Sequence, residues 1–101
     1  MTDAELAASW PELGALVAAL RHSNEGALAD RLVERVQYAS TSGEIFNGVG
    51  AVLFEHRGLR ERLSAAGAAA WDSVMDDVER AGGVRAGGWL ARRWRNLWRK
   101  R

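Results

Sequence analysis

Basic residues and tryptophans are concentrated at the C-terminal end of the chain. The last seventeen residues carry seven positive charges and no negative charge, and three of the five tryptophans lie among them. This composition predicts a segment that binds a partner and not one that catalyses a reaction. Its candidate binding residues are Trp89, Arg92, Arg93, Trp94, Arg95, Trp98, Arg99, Lys100 and Arg101.

Residues 89–101 also have the spacing of an amphipathic helix. At about 100° per residue, the apolar side chains share an arc of roughly 120°, and most of the basic side chains lie on the opposite side. A helix of about 13 residues is only marginally stable alone, so we expect this one to fold on contact with a surface. The residues of the apolar arc are Leu90, Ala91, Trp94, Leu97 and Trp98.

Four surfaces suit this tail helix. An anionic membrane accepts the Trp/Leu face and attracts the arginines. Nucleic acid offers phosphates to the arginines and unpaired bases to the tryptophans. An acidic groove on another protein takes both faces. The fourth surface is the protein's own helical body, and the sequence alone leaves all four open.

The body of the chain is acidic. Residues 1–84 contain all 13 acids and only seven arginines, which gives a formal charge of −6. Asp72, Asp76 and Glu79 stand at i, i+4 and i+7 and therefore share one helix face. We expect this acidic face to be solvated or to pair with the basic tail. Metal ligands usually converge from more than one element, so no metal site is predicted.

No pattern for catalysis or cofactor binding is found in the sequence. His22 and His56 each lie at a predicted helix C-terminus, where a cation complements the helix dipole. The nucleotide-binding, zinc-protease and redox motifs are missing. We therefore predict a protein that is not an enzyme, binds no cofactor and has no small-molecule substrate.

Apolar residues recur with a helical period along the whole chain. Thr2/Glu5, Ser9/Glu12 and Thr41/Glu44 have capping-box spacing, and Gly58 is placed to end a helix in the left-handed conformation. Short loops between four main helices predict an all-α fold, either a small bundle or an orthogonal array, with the C-terminal basic amphipathic helix added. The predicted helices cover approximately residues 3–8, 10–22, 25–38, 43–56 and 65–81.

The chain divides into one folded unit and an appendage. Residues 1–81 form the helical domain, residues 82–88 (GGVRAGG) a Gly-rich hinge and residues 89–101 the tail. With no cysteine there is neither a disulfide nor a thiolate metal site. No apolar run is long enough to span a bilayer, and the acidic N-terminus does not resemble a signal peptide. These features predict a cytoplasmic protein, peripheral to the membrane if the tail binds lipid.

The segment TSGEIFNGVGAVL, residues 41–53, resembles part of small bacterial helical proteins, some of them toxin-immunity proteins. The resemblance does not assign a role to any residue of this chain. The acidic body predicts a non-enzymatic protein-interaction module of the inhibitor or toxin-immunity type, because opposite charge speeds association with a basic partner. The alternative is a protein that binds membranes or nucleic acid through residues 89–101. A third hypothesis treats this tail as a cationic peptide released by processing.

Overall fold

The described part of the chain is built of helices. The computed structural model describes residues 1–86, with side chains described for residues 1–81. This part of the chain contains five α-helices and a 3-10 helix and no strand, so the fold is all-α. The α-helices are α1 Asp3–Ser9, α2 Pro11–His22, α3 Gly26–Gln37, α4 Ser42–Glu55 and α5 Ala65–Ala86, and the 3-10 helix spans Arg57–Arg62.

Two of the three predicted capping boxes do cap their helices. The Thr2 hydroxyl accepts a hydrogen bond from the Glu5 amide at 3.1 Å, and the Thr2 amide donates to the Glu5 carboxylate at 2.7 Å. The Thr41 hydroxyl accepts from the Glu44 amide at 3.2 Å. The predicted cap at Ser9 is wrong, because Ser9 ends α1 and its hydroxyl donates to the Glu5 carbonyl oxygen.

The core forms on the helix faces that the apolar spacing predicts. Helix α2 packs against α1, α3 and α5, and α4 packs against α3 and α5. The buried hydrophobic residues, each at most 7% exposed, are Leu6, Leu13, Leu16, Val17, Leu20, Leu28, Ala29, Leu32, Val33, Val49, Val52, Leu53, Trp71, Val74, Met75 and Val78.

One close approach explains a glycine in α2. A Cβ atom at Gly14 would lie 2.5 Å from the Ala7 Cβ and 2.6 Å from the Ala7 Cα. Such distances are shorter than van der Waals contact, so only glycine lets α1 lie this close to α2. The short helix α1 is thereby held against the body, and Leu6 is fully buried.

Two predicted helix ends differ from the structure. Helix α5 continues through Gly82 and Gly83 to Ala86, whereas the sequence predicted an end at Ala81. A glycine costs about 1 kcal/mol in a helix but adopts helical angles, and a packed helix is easily extended. Gly58 does not end α4 in the left-handed conformation; it lies in the 3-10 helix, and among the described non-glycine residues the one with positive φ is Asn24, after α2.

Candidate functional site

The predicted tail residues lie outside the described part of the chain. The structure therefore leaves untested the binding role assigned to Trp89, Arg92, Arg93, Trp94, Arg95, Trp98, Arg99, Lys100 and Arg101. It does describe α5 as far as Ala86, the point at which the remaining fifteen residues begin.

The predicted acidic face on α5 is partly occupied by a partner within the body. Asp72 accepts two hydrogen bonds from the Arg60 guanidinium, at 2.8 and 2.7 Å. This bidentate pair raises the pKa of Arg60 above its usual value and joins the 3-10 helix to α5. Asp76 is exposed and Glu79 is half-buried. No three potential metal ligands converge anywhere in the described residues.

His56 belongs to a small charged cluster at the end of α4. Its Nε2 atom lies 3.1 Å from Arg31 Nη1 and 3.2 Å from the Glu55 carboxylate. Arg31 also donates to Glu55 at 2.8 Å, and this bond lowers the pKa of the Glu55 carboxyl group. These contacts satisfy the charges of the cluster with one another. His22 is the last residue of α2, as predicted, and is exposed.

The strongest candidate site is an apolar groove that the sequence analysis did not identify. It has a volume of about 580 Å³ and receives residues from four of the α-helices, α1, α3, α4 and α5, and from the junction between α1 and α2. We call it the Trp10 groove. Its lining residues are Leu6, Ser9, Trp10, Val36, Ser42, Ile45, Phe46, Asp77, Arg80 and Ala81.

Trp10 is the lining residue whose position is most firmly fixed. Its indole Nε1–H donates to the Asp77 carboxylate at 2.8 Å, and its ring meets the Phe46 ring edge to face with centroids 5.0 Å apart. Asp77 also accepts from Arg80 at 3.3 Å. The indole is therefore fixed at both its polar and its apolar end, and this order is what a binding surface needs.

Local backbone chemistry places Trp10 there. Proline disfavours the helical conformation in the residue before it, and Pro11 follows Trp10 directly. Trp10 accordingly has φ −142° and ψ 85°, ends α1 and precedes α2. The bend between the two helices carries the indole across to α5, 67 positions further along the chain.

Three groove residues that have the apolar spacing of their helices are only partly buried. Val36 and Phe46 pack against the edge of the core, and Ile45, also partly buried, lines the groove with them. Helical spacing shows which residues face inward and not how completely neighbouring helices cover them. Asp77 was missed because it stands outside the i, i+4, i+7 pattern of its neighbours.

Comparison with known proteins adds no assignment. No protein-family model, curated protein or solved structure matches the chain. Among the described residues, none of the helices is both long and apolar enough to cross a membrane. The features that indicate a function are the Trp10 groove and the charge distribution of the chain.

Proposed function

We propose that this protein is a non-enzymatic interaction module that binds an amphipathic helix of another protein in the Trp10 groove. The observation that carries the proposal is the groove itself: an open apolar surface whose lining includes a tryptophan held by a hydrogen bond and a ring contact. Protein grooves of this kind take the apolar face of a helix, anchored by side chains at i, i+3 or i+4 and i+7.

The polar groups of the groove support a helical ligand over a small molecule. Small-molecule sites place a few unpaired polar groups to orient their ligand. The side chains of Ser9, Trp10, Asp77 and Arg80 already hydrogen-bond within the protein. What the groove offers a ligand is therefore mainly the apolar surface of residues such as Ile45 and Phe46.

The negative charge of the body favours a basic partner. Residues 1–84 carry a formal charge of −6. A negative body attracts a positive helix over a distance of about 10 Å at 0.1 M salt, and the attraction raises the association rate. Inhibitors and immunity proteins that mask a basic surface work by this principle, and we place the protein in that class.

The test uses a labelled cationic peptide of about 14 residues, with leucines at i, i+3, i+4 and i+7 and lysines elsewhere. A scrambled peptide of the same composition is its control. We expect fluorescence anisotropy to show binding of the amphipathic peptide, at least about tenfold tighter than of the scrambled peptide, a difference of 1.4 kcal/mol. Equal affinities for the two peptides would refute a groove that recognises helical spacing.

A matched pair of variants locates the site. Ile45→Glu puts a carboxylate in the groove, and Ala51→Glu puts one on an exposed position of the same helix α4. We expect Ile45→Glu to abolish peptide binding because its charge is desolvated against the apolar face. Ala51→Glu should bind as the wild type does. Circular dichroism on both variants confirms that the helices are retained.

A second candidate function has one observation in its favour, the six basic residues that follow Gly88. In this alternative the tail binds an anionic membrane or nucleic acid. Binding to an oligonucleotide through about five phosphates predicts a log–log salt slope near −4 to −5. Binding to a membrane predicts a blue shift of tryptophan fluorescence on anionic vesicles and none on neutral ones.

A further inference from the structure

We propose that residues 89–101 of this chain occupy the Trp10 groove as an intramolecular ligand. The tail then covers the surface that the proposed partner helix would use. The apolar groove and the sequence of the tail support the docking. Competition between the docked tail and a partner helix rests on the proposed function.

The position of the groove favours this occupant. Helix α5 supplies Asp77, Arg80 and Ala81 to the groove wall and is described as far as Ala86. At 1.5 Å per residue, Ala86 lies about 8 Å beyond Ala81 along the helix. The remaining chain thus starts next to the groove, and its local concentration there is on the order of millimolar.

The length of the tail is sufficient. Gly87 and Gly88 follow α5, and glycine adopts the backbone angles that a chain reversal requires. Residues 89–101 as a helix would be about 20 Å long. Asp77 lies about 14 Å back from Ala86 along α5. A reversed tail helix therefore reaches the whole groove wall that α5 provides.

The chemistry of the tail matches the groove. The apolar arc of the tail, which includes Leu90, Trp94 and Leu97, requires an apolar surface, and the groove has one on which most of the polar side chains are already hydrogen-bonded. In this orientation most of the basic side chains point away from the groove. They then face solvent and the field of the acidic body, so the charge is favourable without buried ion pairs.

The acidic face of α5 is the weaker receptor for the tail. Asp72 is already bound by Arg60, and Asp72 and Asp77 are about 140° apart around the helix. A tail helix paired with Asp72 and Asp76 would gain only exposed ion pairs, which stabilise by about 0–1 kcal/mol each. The groove instead buries tryptophan and leucine side chains.

Disulfide trapping tests the docking, because the chain has no cysteine of its own. The full-length double variant Ile45→Cys/Leu97→Cys places one thiol in the groove and one on the apolar arc of the tail. The matched control is Ala51→Cys/Leu97→Cys, and Asp76→Cys/Leu97→Cys tests the acidic face. We expect the groove pair to oxidise to an intramolecular disulfide at least about tenfold faster than either other pair, because tethered docking raises the local thiol concentration.

Three results would overturn the docking. They are equal oxidation rates in all three pairs, a faster rate in the Asp76→Cys pair, and a crosslink that forms between two chains. Thermal melts of the reduced variants confirm that each is folded. Because no peptide is present, the experiment does not depend on the proposed partner.

Competition is measured with the cationic peptide described above. The full-length variant Leu90→Glu/Trp94→Glu/Leu97→Glu removes the apolar arc, and Arg92→Gln/Arg95→Gln/Arg99→Gln changes the basic side of the same segment. The first variant should bind the peptide about fivefold or more tightly than the wild type, since an internal competitor has been lost. The second should change affinity less. Trapping with no peptide binding even by the first variant refutes the proposed function alone, and peptide binding without trapping refutes the docking alone.

Discussion

The two flanks of α5 carry carboxylates with different tasks. On one flank, Asp72 accepts hydrogen bonds from the Nε and Nη2 atoms of Arg60 and joins two elements of the body. On the other flank, Asp77 accepts the Trp10 indole N–H at the edge of an open apolar groove. The flank with the denser acidic pattern is thus a structural contact, and the one with a single acid holds the candidate binding surface.

The comparison shows that a carboxylate acquires its role from the residue across from it. An arginine within reach turns an acidic side chain into an ion pair that is satisfied internally. An indole N–H uses only one acceptor and leaves a large apolar ring to define a surface. Dense acidic spacing is therefore a poor guide to where this body binds a partner.

A substitution on the buried face of α5, between the two flanks, should have the largest effect on the free energy of unfolding. Trp71 is fully buried, and truncating a buried tryptophan costs about 3–5 kcal/mol. We expect Trp71→Ala to remove most of the cooperative unfolding transition in urea, followed by circular dichroism. Tyr38→Ala, at a side chain 74% exposed, is the control and should change the free energy of unfolding by less than about 0.5 kcal/mol. A near-native transition in Trp71→Ala would show that this face is not the core.

The contact between α2 and α1, the helix that contributes Leu6 and Ser9 to the groove, should be the next most sensitive to substitution. Gly14→Ala forces α1 away from α2, because the added Cβ meets the Ala7 backbone, and overpacking of this kind costs about 1–3 kcal/mol. Gly58→Ala is the contrasting variant: nothing lies within 4 Å of its Cβ and the φ is not positive. We expect it to stabilise by about 0.4–1 kcal/mol. Thermal melts that move in the same direction for both variants would contradict the close approach of α1.

A substitution on the flank that carries the Asp72–Arg60 ion pair should have a smaller effect on the free energy of unfolding. Asp72→Asn removes the negative charge that Arg60 faces, and we expect a loss of about 1 kcal/mol because both side chains are partly exposed and screened. Asp76→Asn is the matched control on the same helix, one turn later and exposed, with an expected change below about 0.5 kcal/mol. Equal losses in urea unfolding would mean that the two acids have the same role.

The smallest effect concerns the cap that holds α1, and it depends on pH. Hydrogen bonds from the Thr2 backbone amide and side chain lower the pKa of Glu5. A lowered pKa stabilises the folded state above the ordinary glutamate pKa, and this stabilisation is lost as the pH falls through the folded value. Glu5→Gln should therefore melt at a lower temperature than the wild type at pH 7, with the difference disappearing in acid.

Glu12→Gln is the control for this pH profile. Glu12 lies in the first turn of α2, and no side-chain hydrogen bond or ion pair involves it within the described residues. This variant should shift the melting temperature less than Glu5→Gln at pH 7, and its difference from the wild type should also disappear in acid. A constant difference between the wild type and Glu5→Gln from pH 7 to pH 2 would show that the cap does not act through the charge of Glu5.

Much of the fold could be predicted from the sequence, because helix signals are local. The spacing of Leu13, Leu16, Val17 and Leu20 gives the inner face of α2, and all four are buried. The caps at Thr2 and Thr41 need only residues three positions away. Such signals lie within one or two turns of a helix and can be read directly along the chain.

The tertiary structure decided which of these residues form a site. Local reasoning predicted that Gly82 and Gly83 end α5, yet the helix runs on to Ala86. It also assigned Ile45 and Phe46 to the core, where they are only partly covered. The cost of a glycine or the spacing of a phenylalanine is a local quantity, whereas helix extension and burial depend on the elements packed alongside.

The sequence by itself determined the helices, their inner faces and the separation of an acidic body from a basic, tryptophan-rich end. Only the tertiary structure paired Asp72 with Arg60 and Asp77 with Trp10 and left an open groove between four helices. The physical reason is distance along the chain. A helix is specified by neighbours within about four residues, but the groove exists because Pro11 bends the chain and brings Trp10 to a carboxylate 67 positions away.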